Sequence, residues 1–308
     1  MAAADEARLE SALRDGYFSA RPEQYLESEA GRQDMADHLH GRLTKDRHYI
    51  IPWLDTLGPG TTGGLDGATV LEIGSGTGAS TLAMAEQGAR VEAVDIDTPS
   101  LQVAEQRLQL HRLADRAGFT IGNAADLPSE LRRRGGYDLV VFYASLEHMT
   151  HEERLAAIAD TWPLVKPGGH WCIVGTPNRL WHFDYHTSFL PFYFWLPDDL
   201  AYAYSDRSPR AGFNDRYRPP GDPESRLDFL RRGRGVSYHE FELALGSFDG
   251  VSFPRGLAAH HRHRQPLRRL KHACTLDGKY ERLLRRLAPA VPPVFLHKSL
   301  DLAMKKPG

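Results

Sequence analysis

The stretch VLEIGSGTGAS at residues 70 to 80 sets Gly74, Gly76 and Gly78 two apart, directly after a short apolar run. Glycine at this spacing lets the backbone take positive φ and admits a ligand with no Cβ in the way. Asp95, 21 residues after Gly74, closes the next apolar run, where a carboxylate can accept hydrogen bonds from both hydroxyls of a ribose. Nicotinamide and adenosyl cofactors share that need, and Ala79 in sixth place leaves the dinucleotide fingerprint open. Two more acids narrow the choice: Glu72 lies inside the apolar run, and Asp126 in GNAADLP stands where it can accept from an adenine amino group. Further on, WHFDYHTS places His182, Asp184 and His186 two apart, on one side of the chain if it is extended. Such a trio can be a base with its orienting carboxylate, a metal site, or a cluster of loop-stabilising hydrogen bonds.

The elements that must position these residues follow from periodicity. Apolar, β-branched runs at 69–73, 90–95, 118–122, 137–143 and 169–175 alternate with segments of helical period at 79–87, 99–114 and 151–162. Strands alternating with helices imply right-handed crossovers and a parallel sheet, so residues 68–175 are expected to form a doubly wound α/β core. Residues 5–57 carry apolar positions at helical spacing (Met35, Leu39, Leu43, Ile50, Trp53, Leu57), giving an N-terminal helical cap over 1–67 that the glycine-rich 58–64 ends. Between 176 and 235 the period is lost, and ten aromatics crowd into residues 181–204. An insertion of that length and content is expected to be a substrate lid. Residues 236–308 resume helical period, pass through a basic segment and end on a strand-like run.

Residues 69 to 175 resemble the class I S-adenosylmethionine-dependent methyltransferases. VLEIGSGTG looks like the family's first motif, AVDID its ribose-binding second and NAADLP its adenine-contacting third. YDLVVFYASLEHM resembles the fourth-strand motif, and LVKPGGHWCIVGTPNRL the turn and fifth strand. The resemblance implies a Rossmann-like seven-stranded, mostly parallel sheet with the last strand antiparallel, the closing FLHKSLDLAMKK supplying that strand. It implies that backbone around Gly74, Ser75, Gly76 and Gly78 cradles the methionine part and ribose of S-adenosylmethionine. Asp95 would then hold the ribose diol, Ile96 pack on the adenine face, Ala125 and Asp126 address the adenine edge, and Glu72 orient the glycine loop. Tyr143, at the end of the fourth strand, joins this cofactor set; FYAS there replaces the Asn/Asp-Pro-Pro-aromatic run of nucleic-acid amino methyltransferases. The likeness ends near residue 178, short of anything that would name the acceptor.

Methyl transfer from a sulfonium is largely a matter of alignment, but a hydroxyl acceptor must also lose a proton, a task for a base titrating near neutrality. His148, just past the fourth strand where the family places a residue facing the reacting methyl, is the first candidate, with His182 and His186 beside it as catalytic expectations. Glu147 would orient a base, or simply serve as a first-turn helix acid. No metal is assigned.

Composition sets the outer limits. With 41% hydrophobic residues in 308, the chain can build a full core. Its start is acidic rather than signal-like, and its two cysteines lie in unlike contexts, so a cytoplasmic protein without a disulfide framework is expected. Residues 255–286 hold ten Lys or Arg against two acids. That segment keeps open an RNA or protein acceptor or a membrane surface, although a pI near 6.7 and the lack of an RNA module argue against nucleic acid. The simpler expectation is an amphipathic helix pair whose leucines pack on the core. The reading that results is an O-methyltransferase acting on a small organic acceptor. A nicotinamide dehydrogenase, which gives the KPGG turn and the NAADLP acid no role, and a catalytically silent adenosyl-cofactor fold are the rivals. The sequence assigns no oligomeric state.

Overall fold

A computed structural model describes residues 3–59, 63–133, 136–217 and 221–308. Among them six strands form one sheet: β1 (Thr69–Ile73), β2 (Arg90–Asp95), β3 (Ala117–Ile121), β4 (Tyr137–Tyr143), β5 (Val165–Pro177) and β6 (Ser299–Lys305). Their order is β3-β2-β1-β4-β5-β6, which reverses direction at β1 as a doubly wound sheet does. The β1–β2 and β2–β3 pairs are parallel, with Ile73 opposite Val94 and Asp95 opposite Ile121. The run TVLEI reads as apolar almost throughout because four of its five residues are buried, as expected of a strand covered on both faces.

The sheet has six strands among the described residues where seven were expected. Ser252 makes a lone antiparallel bridge with Lys305, their amides and carbonyls exchanging two hydrogen bonds at 3.3 and 2.8 Å. Chemistry on either side stops it from growing into a strand. Gly250 turns the chain at φ +72°, and Pro254 has no N–H to offer a ladder. The expected closing strand is present as β6.

The chain divides into two compact units: Met1–Val141 with Pro163–Trp171 and Lys306–Gly308, and Phe142–Trp162 with Cys172–Lys305. In the first, the helix Ala79–Glu86 follows β1 and the helix Thr98–Leu110 follows β2. The N-terminal helices are built from Ala3–Asp15 and from a run of helical turns between Glu29 and Leu57 that widens twice into π-helix, at Asp37–Gly41 and Asp46–Ile50. Leu9, Leu13, Phe18, Met35 and Leu39 pack with Val103 of the Thr98–Leu110 helix, so the helical period read in the sequence is the period of a buried seam.

In the second unit the helices His151–Thr161 and Tyr238–Leu245 pack together, each started by a capping box (Thr150 with Glu153, Ser237 with Glu240). The aromatic insertion has a small core of its own, in which Tyr193, Ala201, Tyr202, Phe213, Tyr217 and Phe229 bury one another. Tyr185, Phe189, Phe192, Trp195 and Tyr204 are exposed. The basic segment forms the helices Leu257–Arg264, Pro266–Cys274 and Leu276–Leu287. Leu267, Leu270, Leu276, Leu283 and Leu287 lie on their exposed surface, against the expectation of a buried leucine face. Glu281 is buried instead, with His297 at 3.0 Å, His272 at 3.2 Å and Arg262 at 3.5 Å. An ionic cluster thus takes the inner side that the leucines were expected to take. Among the described residues no helix is long and apolar enough to cross a membrane.

Candidate active site

Backbone and carboxylate converge at the β1 turn. Gly74, Gly76 and Gly78 all have positive φ, at +82°, +50° and +76°. The Gly74 amide donates to Val94 O at 2.9 Å, and the Gly76 amide donates to Asp95 Oδ2 at 2.8 Å, tying the loop to the end of β2. Asp97 N donates to the other Asp95 oxygen at 3.0 Å, while the Asp97 side chain caps the next helix. The glycines divide their work. A Cβ on Gly78 would stand 2.7 Å from Ala104 Cβ, so this glycine lets two helices pack; a Cβ on Gly76 would meet nothing within 4 Å, so open space lies beside this one. Ser75 Oγ is buried in the same loop with no hydrogen-bond partner.

Glu72, fully buried on β1, accepts from Ser80 Oγ and, at 2.6 Å, from Thr81 Oγ1. It thereby fastens the strand to the first turn of the following helix. Burial raises its pKa to about 7 against the lowering effect of the two hydroxyls. Ile96 is 66% exposed, an apolar side chain held in the open just past Asp95. Beyond β3, Asn123 Oδ1 accepts from Ala125 N at 3.0 Å and Asn123 O from Asp126 N at 3.0 Å. The Asp126 carboxylate is left outward, with Arg132 at 3.5 Å. Tyr143 ends β4 just before Ala144 at φ +44°.

Sequence reasoning missed what holds Thr77 in this loop. Buried Arg107 donates to Thr77 O and His38 O, both at 2.7 Å, and His38 Nδ1 lies 2.9 Å from Thr77 Oγ1. Burial drives the His38 pKa down to about 3, so the ring is neutral. An arginine inside the segment of helical period at 99–114 was the available signal.

The second unit gathers another set. Glu147 is fully buried; its Oε2 accepts from Thr176 Oγ1 at 2.7 Å, and its Oε1 has no hydrogen-bond donor. His148 Nε2 and His186 Nε2 lie 3.9 and 3.8 Å from that Oε1. Both tautomers follow from the other ring nitrogen. His148 Nδ1 is 2.7 Å from Arg231 O, a pure acceptor, so it must donate. His186 Nδ1 is 3.0 Å from Thr187 Oγ1, whose own hydrogen goes to Gly233 O at 2.8 Å, so it too donates. Neutral, the two imidazoles therefore present both Nε2 lone pairs. Burial lowers the His186 pKa against the raising effect of Glu147, which favours that neutral form.

Of the residues read from WHFDYHTS, only His186 reaches this cluster. The chain there is a tight turn, not extended. Asp184 accepts from the amides of His186, Thr187 and Ser188 and from Ser188 Oγ, at 2.7 to 2.8 Å, and so stabilises its own loop. His182 packs its ring on Tyr280 at 4.6 Å between centroids and on Trp181 at 5.4 Å. Residues 231–236 were not singled out from sequence, yet they frame the cluster. Gly233, at φ +115°, passes so close that a Cβ would stand 2.8 Å from His186 Cε1, and Arg234 N donates to Glu147 O at 2.9 Å. Two glycines among arginines, RRGRG, were the signal.

Against known proteins, residues 70–169 match the family described as "Methyltransferase domain". This segment belongs to that family. The curated relatives include "Ubiquinone biosynthesis O-methyltransferase" of Cupriavidus pinatubonensis, 34% identical over 139 residues, 44% of this chain and 51% of that protein. The protein of the same name from Leptothrix cholodnii is 37% identical over 139 residues, 43% of this chain and 54% of that one. The chain thus spans about half the length of the curated relatives it matches. Among solved structures, magnesium protoporphyrin IX methyltransferase from Synechocystis PCC 6803 with bound SAH is 19% identical, with a TM-score of 0.47, over 80% of this chain and 91% of that one.

Proposed function

We propose that this chain transfers the methyl group of S-adenosylmethionine to an oxygen of a small organic acceptor. The observation that carries the cofactor reading is the open space beside Gly76, whose amide donates to the Asp95 carboxylate, inside a segment that matches the methyltransferase domain family. The unpartnered Ser75 Oγ offers a further contact there. In this reading Gly74, Ser75, Gly76 and Gly78 form the cradle, Asp95 holds the ribose diol, Ile96 covers the adenine face, Ala125 and Asp126 meet its edge, Tyr143 completes the set and Glu72 fixes the loop. When bound, the cofactor supplies a methyl carbon made electrophilic by a sulfonium that leaves as a neutral thioether.

The chain's own contribution is to align that carbon, exclude water and take up the acceptor's proton. His148 or His186 serves as the base, since each holds its Nδ1 proton in a fixed hydrogen bond and keeps an Nε2 lone pair. Oxygen as the accepting atom is favoured by these bases and by the relatives' names.

Methyl-labelled S-adenosylmethionine incubated with the full chain and a cell extract, then split into small-molecule, RNA and protein fractions, tests the proposal. Label is expected among the small molecules; label in RNA or protein overturns the acceptor class, and none anywhere overturns the activity. Titration calorimetry tests the cofactor site. Two charge-assisted bonds to the ribose, each about 1.5–3 kcal/mol, mean that Asp95→Ala weakens S-adenosylmethionine binding by roughly 10²- to 10⁴-fold. Unchanged affinity refutes the ribose assignment.

A further inference from the structure

We propose that Glu147, His148 and His186 bind one divalent transition-metal ion through Glu147 Oε1 and the two Nε2 atoms. Among the described residues these three form a group whose potential ligand atoms all lie within 4.8 Å of one another. Two imidazole nitrogens and one carboxylate oxygen suit zinc, iron(II), cobalt or manganese, and leave open positions for water or a substrate oxygen. Magnesium and calcium, which prefer all-oxygen shells, suit the set poorly.

Three features of the cluster go beyond proximity. First, Glu147 Oε1 is a fully buried carboxylate oxygen with no hydrogen-bond donor, directed toward both Nε2 atoms. A buried carboxylate oxygen in that position lacks the partner that buried polar groups almost always have. Second, both rings are already oriented as metal ligands are, each donating Nδ1–H to a fixed oxygen and so fixing the tautomer that exposes Nε2. Arg231 O and the Thr187 hydroxyl, itself locked on Gly233 O, are those oxygens. Third, the remaining Glu147 oxygen is held by Thr176, so the carboxylate cannot turn away from the rings without losing that bond.

Distances and exposure are consistent with an ion. Metal–ligand bonds near 2.1 Å place ligand atoms about 3 to 3.4 Å apart, against 3.8 and 3.9 Å here between Oε1 and each Nε2. Swinging the rings about their Nδ1 anchors by less than about 1 Å closes the site. His148 and His186 side chains are 42% and 34% exposed, so an ion can enter and a further ligand can reach it. An imidazolium pair would satisfy Glu147 Oε1 as well, and the experiment must separate the two arrangements.

The consequence for chemistry rests on the methyltransferase reading above. A bound ion would lower the pKa of a coordinated hydroxyl, so the two histidines would act as ligands and the acceptor's proton would pass to solvent water rather than to a histidine base.

The test uses the full chain, stripped with a chelator and titrated with Co²⁺, followed by visible absorption and by calorimetry with Zn²⁺. Expected are one ion per chain with a tetrahedral or five-coordinate cobalt spectrum, and affinity reduced 10- to 100-fold or more in His186→Ala and in the near-isosteric Glu147→Gln. His272→Gln, which alters the separate Glu281 cluster, is expected to bind as the wild type does. Circular dichroism melting of each variant confirms that it is folded. No binding by the wild type, equal binding in the Glu147 and His186 variants, or loss in the His272 variant overturns the inference. Methyl transfer that survives complete chelation overturns the ion's catalytic role while leaving the methyltransferase reading intact. Stoichiometric metal binding without methyl transfer overturns the methyltransferase reading and leaves the metal site standing.

Discussion

Arg154 is buried at 1% exposure in the second unit, and its guanidinium spends five contacts on one small region. Nε donates to Leu146 O at 2.9 Å; Nη1 to Glu240 Oε1 at 2.9 Å and Gly235 O at 3.3 Å; Nη2 to Arg234 O at 3.0 Å and Glu147 O at 3.2 Å. It therefore ties the turn that carries Glu147 and His148 to residues 234–235. Arg154→Met keeps the volume of the stem but strips four carbonyls and a carboxylate of a donor. Breaking one side of a buried pair typically costs about 3–5 kcal/mol. Glu240 retains Ser237 N at 2.6 Å and His151 Nδ1 at 3.5 Å, which places the loss near the lower end. Even about 3 kcal/mol is a large share of the roughly 5–15 kcal/mol that holds a domain together. Urea unfolding at pH 7 reads it directly. Adding Glu240→Gln should return about 1–2 kcal/mol, because removing both charges leaves none uncompensated. Arg154→Lys should fall between, since one ammonium cannot span the carbonyls on both segments. A loss under about 1 kcal/mol for Arg154→Met, or strict additivity in the double variant, would refute this account of the turn.

Two more expectations concern glycine geometry and pH. Both Gly76 and Gly78 have left-handed φ, which costs an alanine about 1–2 kcal/mol, but only at Gly78 would the added Cβ also press to 2.8 Å from backbone, Ala104 Cα. Gly78→Ala is therefore expected to lose clearly more than Gly76→Ala in urea unfolding, while Gly76→Ala weakens S-adenosylmethionine binding; the reverse order of stabilities would contradict the division of labour. His151 has its pKa raised to about 9, mainly by Asp198, 3.3 Å away, and then by Glu240, with burial and Arg154 opposing. Its folded pKa lies above the unfolded value near 6.5, so its stabilisation is complete below pH 6.5 and fades as pH rises through about 9. The ring is 44% exposed, so the amount is about 1 kcal/mol or less. Unfolding midpoints between pH 6 and 9.5 should fall more steeply for the wild type than for His151→Gln, and parallel profiles would remove His151 from the balance.

What could be read from the sequence was what local spacing encodes. All five expected strands lie where the apolar runs placed them; β1 and β4 are buried over most of their length, as a strand covered on both faces must be, while β3 at the sheet edge has no buried residue and was legible from its β-branched and aromatic run alone. The β1 glycines and Asp95 were legible for a similar reason: tight turns and strand ends have residue requirements that do not depend on distant partners. Two expectations failed where tertiary partners decide. The expected count of seven is not reached among the described residues: Ser252 makes only an isolated bridge with Lys305, next to Pro254, which has no N–H to extend a ladder. The leucines of 267–287 follow a helical period faithfully, but period alone does not say which side is buried, and the inner side went to Glu281 with Arg262, His272 and His297 around it.

The histidine-rich stretch shows most sharply how a local reading misleads. An aspartate between two histidines suggests a carboxylate orienting a base, and WHFDYHTS invites that interpretation. Asp184 instead accepts three amides and a hydroxyl of its own turn, which saturates it. The carboxylate that faces His186 is Glu147, from a different element, and the group that fixes the His186 tautomer is its neighbour Thr187. That assignment works only because Thr187 passes its own hydrogen to Gly233 O, on a segment where any side chain at Gly233 would press into the His186 ring. The direction in which His186 presents its lone pair is therefore set by residues 46 or so positions away in the chain, which no spacing rule within the motif contains. Placement of the same kind governs His148, whose Nδ1 finds Arg231 O across 83 positions. Chemistry at this cluster is thus a property of the 231–236 segment as much as of the histidines themselves, and variants there should disturb it without touching a single donor atom.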